Sequence, residues 1–213
     1  MRRRLVRKVQ HSRLWLETHV TSVWRCVEKH PGFRLAKYEL GLYRDLWRWI
    51  RGQTLLPVGA VALPHPPGRL QMLGFITAIL LVEMVVVHLL LPAGVLRIVA
   101  LLLSLWAIIF VWGLIAAERI RPSYVTENLT VLRRGKTIFV EVPMSLVRST
   151  QAERTFESAV VLSNDELIVG GPAGTDTLLL LSKPVQASPD RYPWQRARSM
   201  EVTKVRFYGA ASR

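Results

Sequence analysis

The chain has 213 residues, half of them hydrophobic and 21% charged, with 29 Lys and Arg against 15 Asp and Glu. That length allows one ordinary domain, or a small domain with a membrane segment, and the apolar content excludes a disordered chain. A single cysteine, Cys26, excludes an intramolecular disulfide framework and any metal site built on several cysteines.

Residues 1–69 hold 14 basic and four acidic side chains. Leu5, Val9, Leu16, Val20, Val23 and Val27 recur at helical steps, which predicts one apolar helix face, and Pro31-Gly32 ends it. A second helix puts Leu35, Leu42, Leu46, Trp49 and Ile50 on one stripe, with Lys37, Arg44, Arg48 and Arg51 around it. Tyr38, Tyr43, Trp47 and Trp49 are aromatics of the kind that settle at headgroup level. Basic amphipathic helices of this type lie along anionic membrane surfaces. The alternative is that they pack on a cytoplasmic domain with their charges solvated. Leu63-Pro-His-Pro-Pro-Gly68 forms a stiff, non-helical lead.

Two apolar segments follow. Leu70–Leu91 is 22 residues long, and Ile98–Ala117 is 20 residues without a charge. At ~1.5 Å per residue the second spans about 30 Å, the hydrocarbon thickness of a bilayer. The first contains Glu83, Gln71 and His88, but its 14 Leu, Ile, Val and Phe residues outweigh one carboxylate in insertion free energy. Both are predicted to insert as a hairpin with an external turn at residues 92–97. That loop holds one basic residue, Arg97, whereas 14 lie in each of the flanks 1–69 and 118–213. Basic flanks stay inside, so both termini are expected in the cytoplasm of a multi-pass plasma-membrane protein. Much of the +14 formal charge is therefore topogenic, and nucleic-acid binding is not expected. Nor is a cleavable signal peptide, because Arg7, Lys8, Arg13 and Glu17 interrupt any apolar core after Arg2–Arg4.

After Pro122 the pattern alternates. Asn128–Val142 reads as a hairpin turning at Arg134-Gly135. Further strands are expected at 159–162, 167–170, 177–181 and 201–208, divided by Asn164-Asp165 and the glycine-rich turn 170–174. Residues 118–213 thus form a small antiparallel sandwich or partial barrel. Arg133, Arg134 and Lys136 at the hairpin turn are candidates for headgroup contact, or are simply solvated.

No constellation for catalysis, cofactor binding or metal binding stands out. His19, Cys26 and His30 form a loose cluster too open for zinc. Glu83 calls for explanation, because an intramembrane carboxylate is rarely idle. It is protonated, paired within the hairpin, paired across a homo-oligomer, or handling protons or ions. Folding the chain about its turn places Ser104 and Trp106 near the depth of Glu83, and Arg97 near His88. His88 is five residues on and roughly 140° around the helix, so the two do not share a face.

Tyr43-Arg-Asp-Leu-Trp-Arg-Trp-Ile-Arg51, Val82-Glu-Met-Val-Val-Val-His-Leu-Leu-Leu-Pro92 and Arg97-Ile-Val…Leu-Ser-Leu-Trp106 resemble a family of uncharacterised bacterial integral membrane proteins common in high-GC Gram-positive bacteria. The use of 23 Arg against 6 Lys suits such a genome. The resemblance spans residues 40–185. It implies two transmembrane helices and a cytoplasmic β domain resembling a pleckstrin-homology-like module, and it brings no activity with it. That module ends in a packed helix, whereas this sequence stops soon after Phe207-Tyr208-Gly209, and residues before 35 have no counterpart.

The expected architecture is a membrane α + β chain: basic amphipathic helices over 1–69, a hairpin over 70–117 and a β-rich domain over 118–213. The expected function is non-enzymatic, presenting an interaction module that binds lipid headgroups or a protein partner. The alternative is an oligomeric transport, proton-handling or enzyme-accessory component that uses Glu83 and His88.

Overall fold

A computed structural model describes residues 30–191, 195 and 198–209. The helix expected before Pro31, with His19 and Cys26, lies outside them. The chain divides into two compact units, Met1–Leu40 and Gly41–Arg213.

Helix α1 (Pro31–Ile50) begins at a well-made cap. The Phe33 and Arg34 amides donate to the His30 carbonyl (3.1 and 3.2 Å), and the Gly32 amide donates to His30 Nδ1. Proline suits the first helical position, where its missing N–H would have no partner anyway. His30 is thus a capping residue.

The chain after α1 contributes strand β1 (Val61–Ala62), which the sequence does not announce. The proline lead then runs without regular structure to a turn at Pro67-Gly68, where the left-handed backbone of Gly68 (φ 88°) swings it into helix α2 (Arg69–Leu90). A four-residue turn leads to helix α3 (Val95–Ile120). Both helices are long and apolar enough to cross a membrane, and in their most apolar 18-residue windows only 6% and 17% of residues are buried. A helix from a soluble core would be mostly covered; these are bare. Their partly covered positions fall at steps of three and four, Leu73, Ile76, Thr77, Leu80, Met84 and Val87 on α2, and Leu101, Ser104, Ile108 and Val111 on α3. Along this seam the two helices pack together. Helix α3 outruns its expected bounds at both ends, because Val95-Leu96 prolong it on one side and nothing stops it on the other before Pro122.

Among the described residues nine strands form one mostly antiparallel, open sheet in the order β1-β2-β3-β4-β8-β9-β7-β6, with β5 paired to β8. The strands after α3 are β2 (Tyr124–Val125), β3 (Leu129–Arg134), β4 (Thr137–Pro143), β5 (Val147–Thr155), β6 (Val160–Ser163), β7 (Glu166–Val169), β8 (Thr175–Ala187) and β9 (Met200–Phe207). The β3–β4 turn falls at Gly135-Lys136, one residue on from the expected Arg134-Gly135, because Arg134 still pairs with Thr137. Asn164 and Asp165 both take left-handed backbone angles (φ 48° and 68°), as a two-residue hairpin between β6 and β7 requires. Three features depart from the expected small antiparallel domain. Strand β1 comes from between α1 and α2 and pairs with β2. The β7–β9 pair is parallel. Strand β5 carries Arg148, Thr150, Gln151, Glu153 and Arg154 on exposed faces, so no apolar alternation marks it. Side chains from β3, β4, β7, β8 and β9, with Phe139, Leu167, Val202 and Val205 almost fully covered, share one core.

Candidate functional site

The sheet, α1 and the last two turns of α3 converge around one carboxylate. Asp45 is fully buried and accepts two hydrogen bonds from Arg121 (2.6 and 2.9 Å), with Lys136 Nζ at 3.3 Å. Burial alone would raise its pKa, but the Arg121 hydrogen bond and the charges of Lys136 and Arg121 outweigh that and hold the carboxyl below its usual range. Burial, together with Arg121 and Arg44, lowers Lys136, against the pull of Asp45. One carboxylate thus ties α1, the foot of α3 and the β3–β4 turn. Asp45 is the one acidic residue in the basic run Arg44–Arg51, the only sequence sign of this latch.

Helix α1 crosses α3 rather than running beside it. Leu42 and Trp49, seven residues apart, meet the same place on α3: a Cβ added to Gly113 would lie 3.0 Å from the Leu42 Cβ, and the Trp49 ring stacks tilted against Trp112 at 6.0 Å. Helices lying side by side would shift the contact by about two turns. On one flank of α1 Tyr43 accepts a hydrogen bond from Trp106 Nε1 (2.8 Å), and on the other Asp45 reaches Arg121. Burial along α3 changes at this crossing. Before it Ser104 is buried; from it on Gly113, Ile115, Ala116, Ala117 and Ile120 are. Trp47 and Ile50 stay 55% and 66% exposed, and the Arg51 guanidinium covers the Trp47 ring at 4.5 Å. Ile50 therefore leaves the expected stripe, since it sits about 80° from Leu42 around the helix. Arg44 and Arg51 are exposed and Arg48 is half-buried.

The three cations of the β3–β4 turn are engaged by the protein itself. Arg133 donates to the carbonyls of Pro122 (2.8 Å) and Leu55 (3.1 Å) and lies over Tyr124. Arg134 pairs with Asp190 and donates to the Gly170 carbonyl. Gly135, in the left-handed region at φ 57°, brings the turn so close that a Cβ there would touch Ala117 of α3 at 3.5 Å. The proline lead makes the second joint. A Cβ on Gly171 would lie 3.1 Å from Pro66, and one on Gly68 would lie 3.2 Å from Pro172. Between these joints His65 lines a cavity of about 80 Å³ with Leu63, Leu132, Phe139 and Phe207. Burial, then the nearby Arg119 charge, push its imidazole below the usual range, partly offset by Glu118.

On the apolar helices Glu83 and His88 are both exposed, on opposite flanks of the seam. Arg97 does not reach toward His88: its Nε donates to the Leu91 carbonyl (2.7 Å) and its Nη2 binds the same oxygen, closing the interhelical turn. Ser104 is buried in the seam and Trp106 is held by Tyr43. Among the described residues no three His, Cys, Asp or Glu side chains are grouped to share a metal ion.

No family model, no curated protein and no solved structure matches the chain. The fold itself defines the class: an α + β chain with two bare helices long and apolar enough to cross a membrane, bolted at one end to a mostly antiparallel sheet.

Proposed function

We propose that this chain is a non-enzymatic integral membrane protein that holds a β-rich interaction module against the cytoplasmic face of the plasma membrane. The observation that carries the reading is the change of burial along α3 at Gly113. From Val95 to Gly113 the helix rises about 27 Å, close to the hydrocarbon thickness of a bilayer. That stretch is largely bare, and α1 crosses at its end. Helix α1 then lies in the headgroup layer, with Trp47 and Ile50 toward the acyl chains and Arg44, Arg48 and Arg51 among anionic headgroups. Trp49 serves as the fastening to α3. The rest of α3 is a stalk that the sheet, the lead and α1 enclose. Arg133, Arg134 and Lys136 act here as struts of the joint, which leaves headgroup contact to α1. Kinship with pleckstrin-homology-like modules belongs to this proposal. The mostly antiparallel sheet supports it, and the parallel β7–β9 pair stands apart from it.

The test replaces Arg44, Arg48 and Arg51 together by Gln in the full chain, reconstituted in nanodiscs of mixed zwitterionic and anionic lipid. The wild type is expected to retain anionic lipid preferentially, less so as salt rises; the triple variant loses that preference while still inserting. Equal lipid retention by both proteins at every ionic strength contradicts headgroup binding by α1.

A further inference from the structure

Glu83 stands on the exposed surface of α2, about two-thirds of the way along an apolar helix, and His88 stands on the other exposed flank. No hydrogen bond or ion pair to another described residue holds either one. Within hydrocarbon a carboxylate facing acyl chains is costly, and ionisable residues in spans pair with one another or face a bundle interior. The hairpin cannot satisfy this alone. Its own seam uses Leu80, Met84 and Val87, with Glu83 roughly 80° to one side and His88 roughly 60° to the other.

We infer that the chain assembles with copies of itself into a closed ring, in which Glu83 of each copy pairs with His88 of the next. The inference rests on membrane insertion of α2 and α3. Two groups on opposite flanks of one helix cannot meet through a two-fold contact, which would set Glu83 against Glu83. A head-to-tail contact sets the Glu83 flank against the His88 flank, and its closure needs three or more copies about an axis normal to the membrane. The two residues differ in depth by about 7.5 Å. An ordinary helix tilt of about 20° brings facing flanks of neighbouring helices closer to register. Both flanks are otherwise apolar, with Ile79 and Val86 exposed beside Glu83 and Leu81 and Val85 exposed beside His88.

The test is native mass spectrometry of the full chain released from nanodiscs or mild detergent, beside Glu83→Gln, Glu83→His, His88→Glu and the double exchange Glu83→His with His88→Glu. The wild type is expected as a closed oligomer of three or more copies. Each single change should weaken assembly by about tenfold or more, and the double exchange should restore it because the pair is rebuilt with its members swapped. A wild type that is monomeric or dimeric at all protein-to-lipid ratios overturns the ring, and so do single variants that assemble as well as the wild type. A chain that needs detergent yet stays monomeric defeats this inference alone; one recovered without detergent defeats the membrane reading beneath it.

Discussion

Asp45 shows how much one residue holds. Its carboxylate is fully buried between Arg121 and Lys136, so its removal leaves two cations facing each other without a counter-charge. Asp45→Ala is expected to destabilise the protein by about 3–5 kcal/mol, read as a lower unfolding midpoint in detergent; a loss below about 1 kcal/mol would show that the cluster is not a latch. The pH dependence follows from the lowered pKa. The folded carboxyl titrates below its unfolded value of about 3.9, so the contribution is fully present above that pH and fades only as pH falls through the folded value. His65 behaves in the opposite chemical sense. Its folded pKa lies below about 6.5, so the folded state loses stability as pH drops from that value through the folded one, as protons that the unfolded chain takes up freely are resisted. A ring-nitrogen titration by NMR should place His65 below the free imidazole; a midpoint at or above 6.5 contradicts a desolvated ring.

At the scale of elements, the crossing of α1 over α3 depends on Gly113, where even a methyl group would sit 3.0 Å from Leu42. Gly113→Val is expected to push α1 off the stalk at a cost of about 1–3 kcal/mol, read as Trp49 and Trp112 separating in a tryptophan-fluorescence or cross-linking measurement; an unchanged contact would mean that the helices have slack. Helices α2 and α3 were legible from sequence because hydrocarbon-length apolar runs have few other uses, and the β3–β4 hairpin because Gly135 marks its turn. Strand β5 was not legible, since both its faces are wet, and neither was β1, whose two residues gain their meaning from pairing with Tyr124 and Val125. The joint was the least legible part. Asp45, Arg121 and Lys136 are 76 and 15 residues apart in successive steps along the chain, and only the meeting of three elements turns a lone acid in a basic helix into a buried ion cluster. The same meeting of elements gives Arg133, Arg134 and Lys136 partners within the protein, although they look like a solvated basic turn when read in order.

At the scale of the whole molecule, three joints govern the unit Gly41–Arg213: the Asp45 latch, the Gly135 turn against Ala117, and the proline lead against Gly171-Pro172. They make the sheet an extension of α3 rather than a domain on a flexible tether; under the proposed membrane insertion, whatever the sheet meets, it meets at a fixed height and angle to the bilayer. Sidedness is therefore decisive, and single-cysteine labelling reads it. In a Cys26→Ser background, a cysteine replacing Ala93 in the interhelical turn should react with a membrane-impermeant maleimide on intact cells, whereas one replacing Glu127 beside the β2–β3 turn should react only after lysis. Labelling of the Glu127 position on intact cells, or protection of the Ala93 position until lysis, would contradict the account.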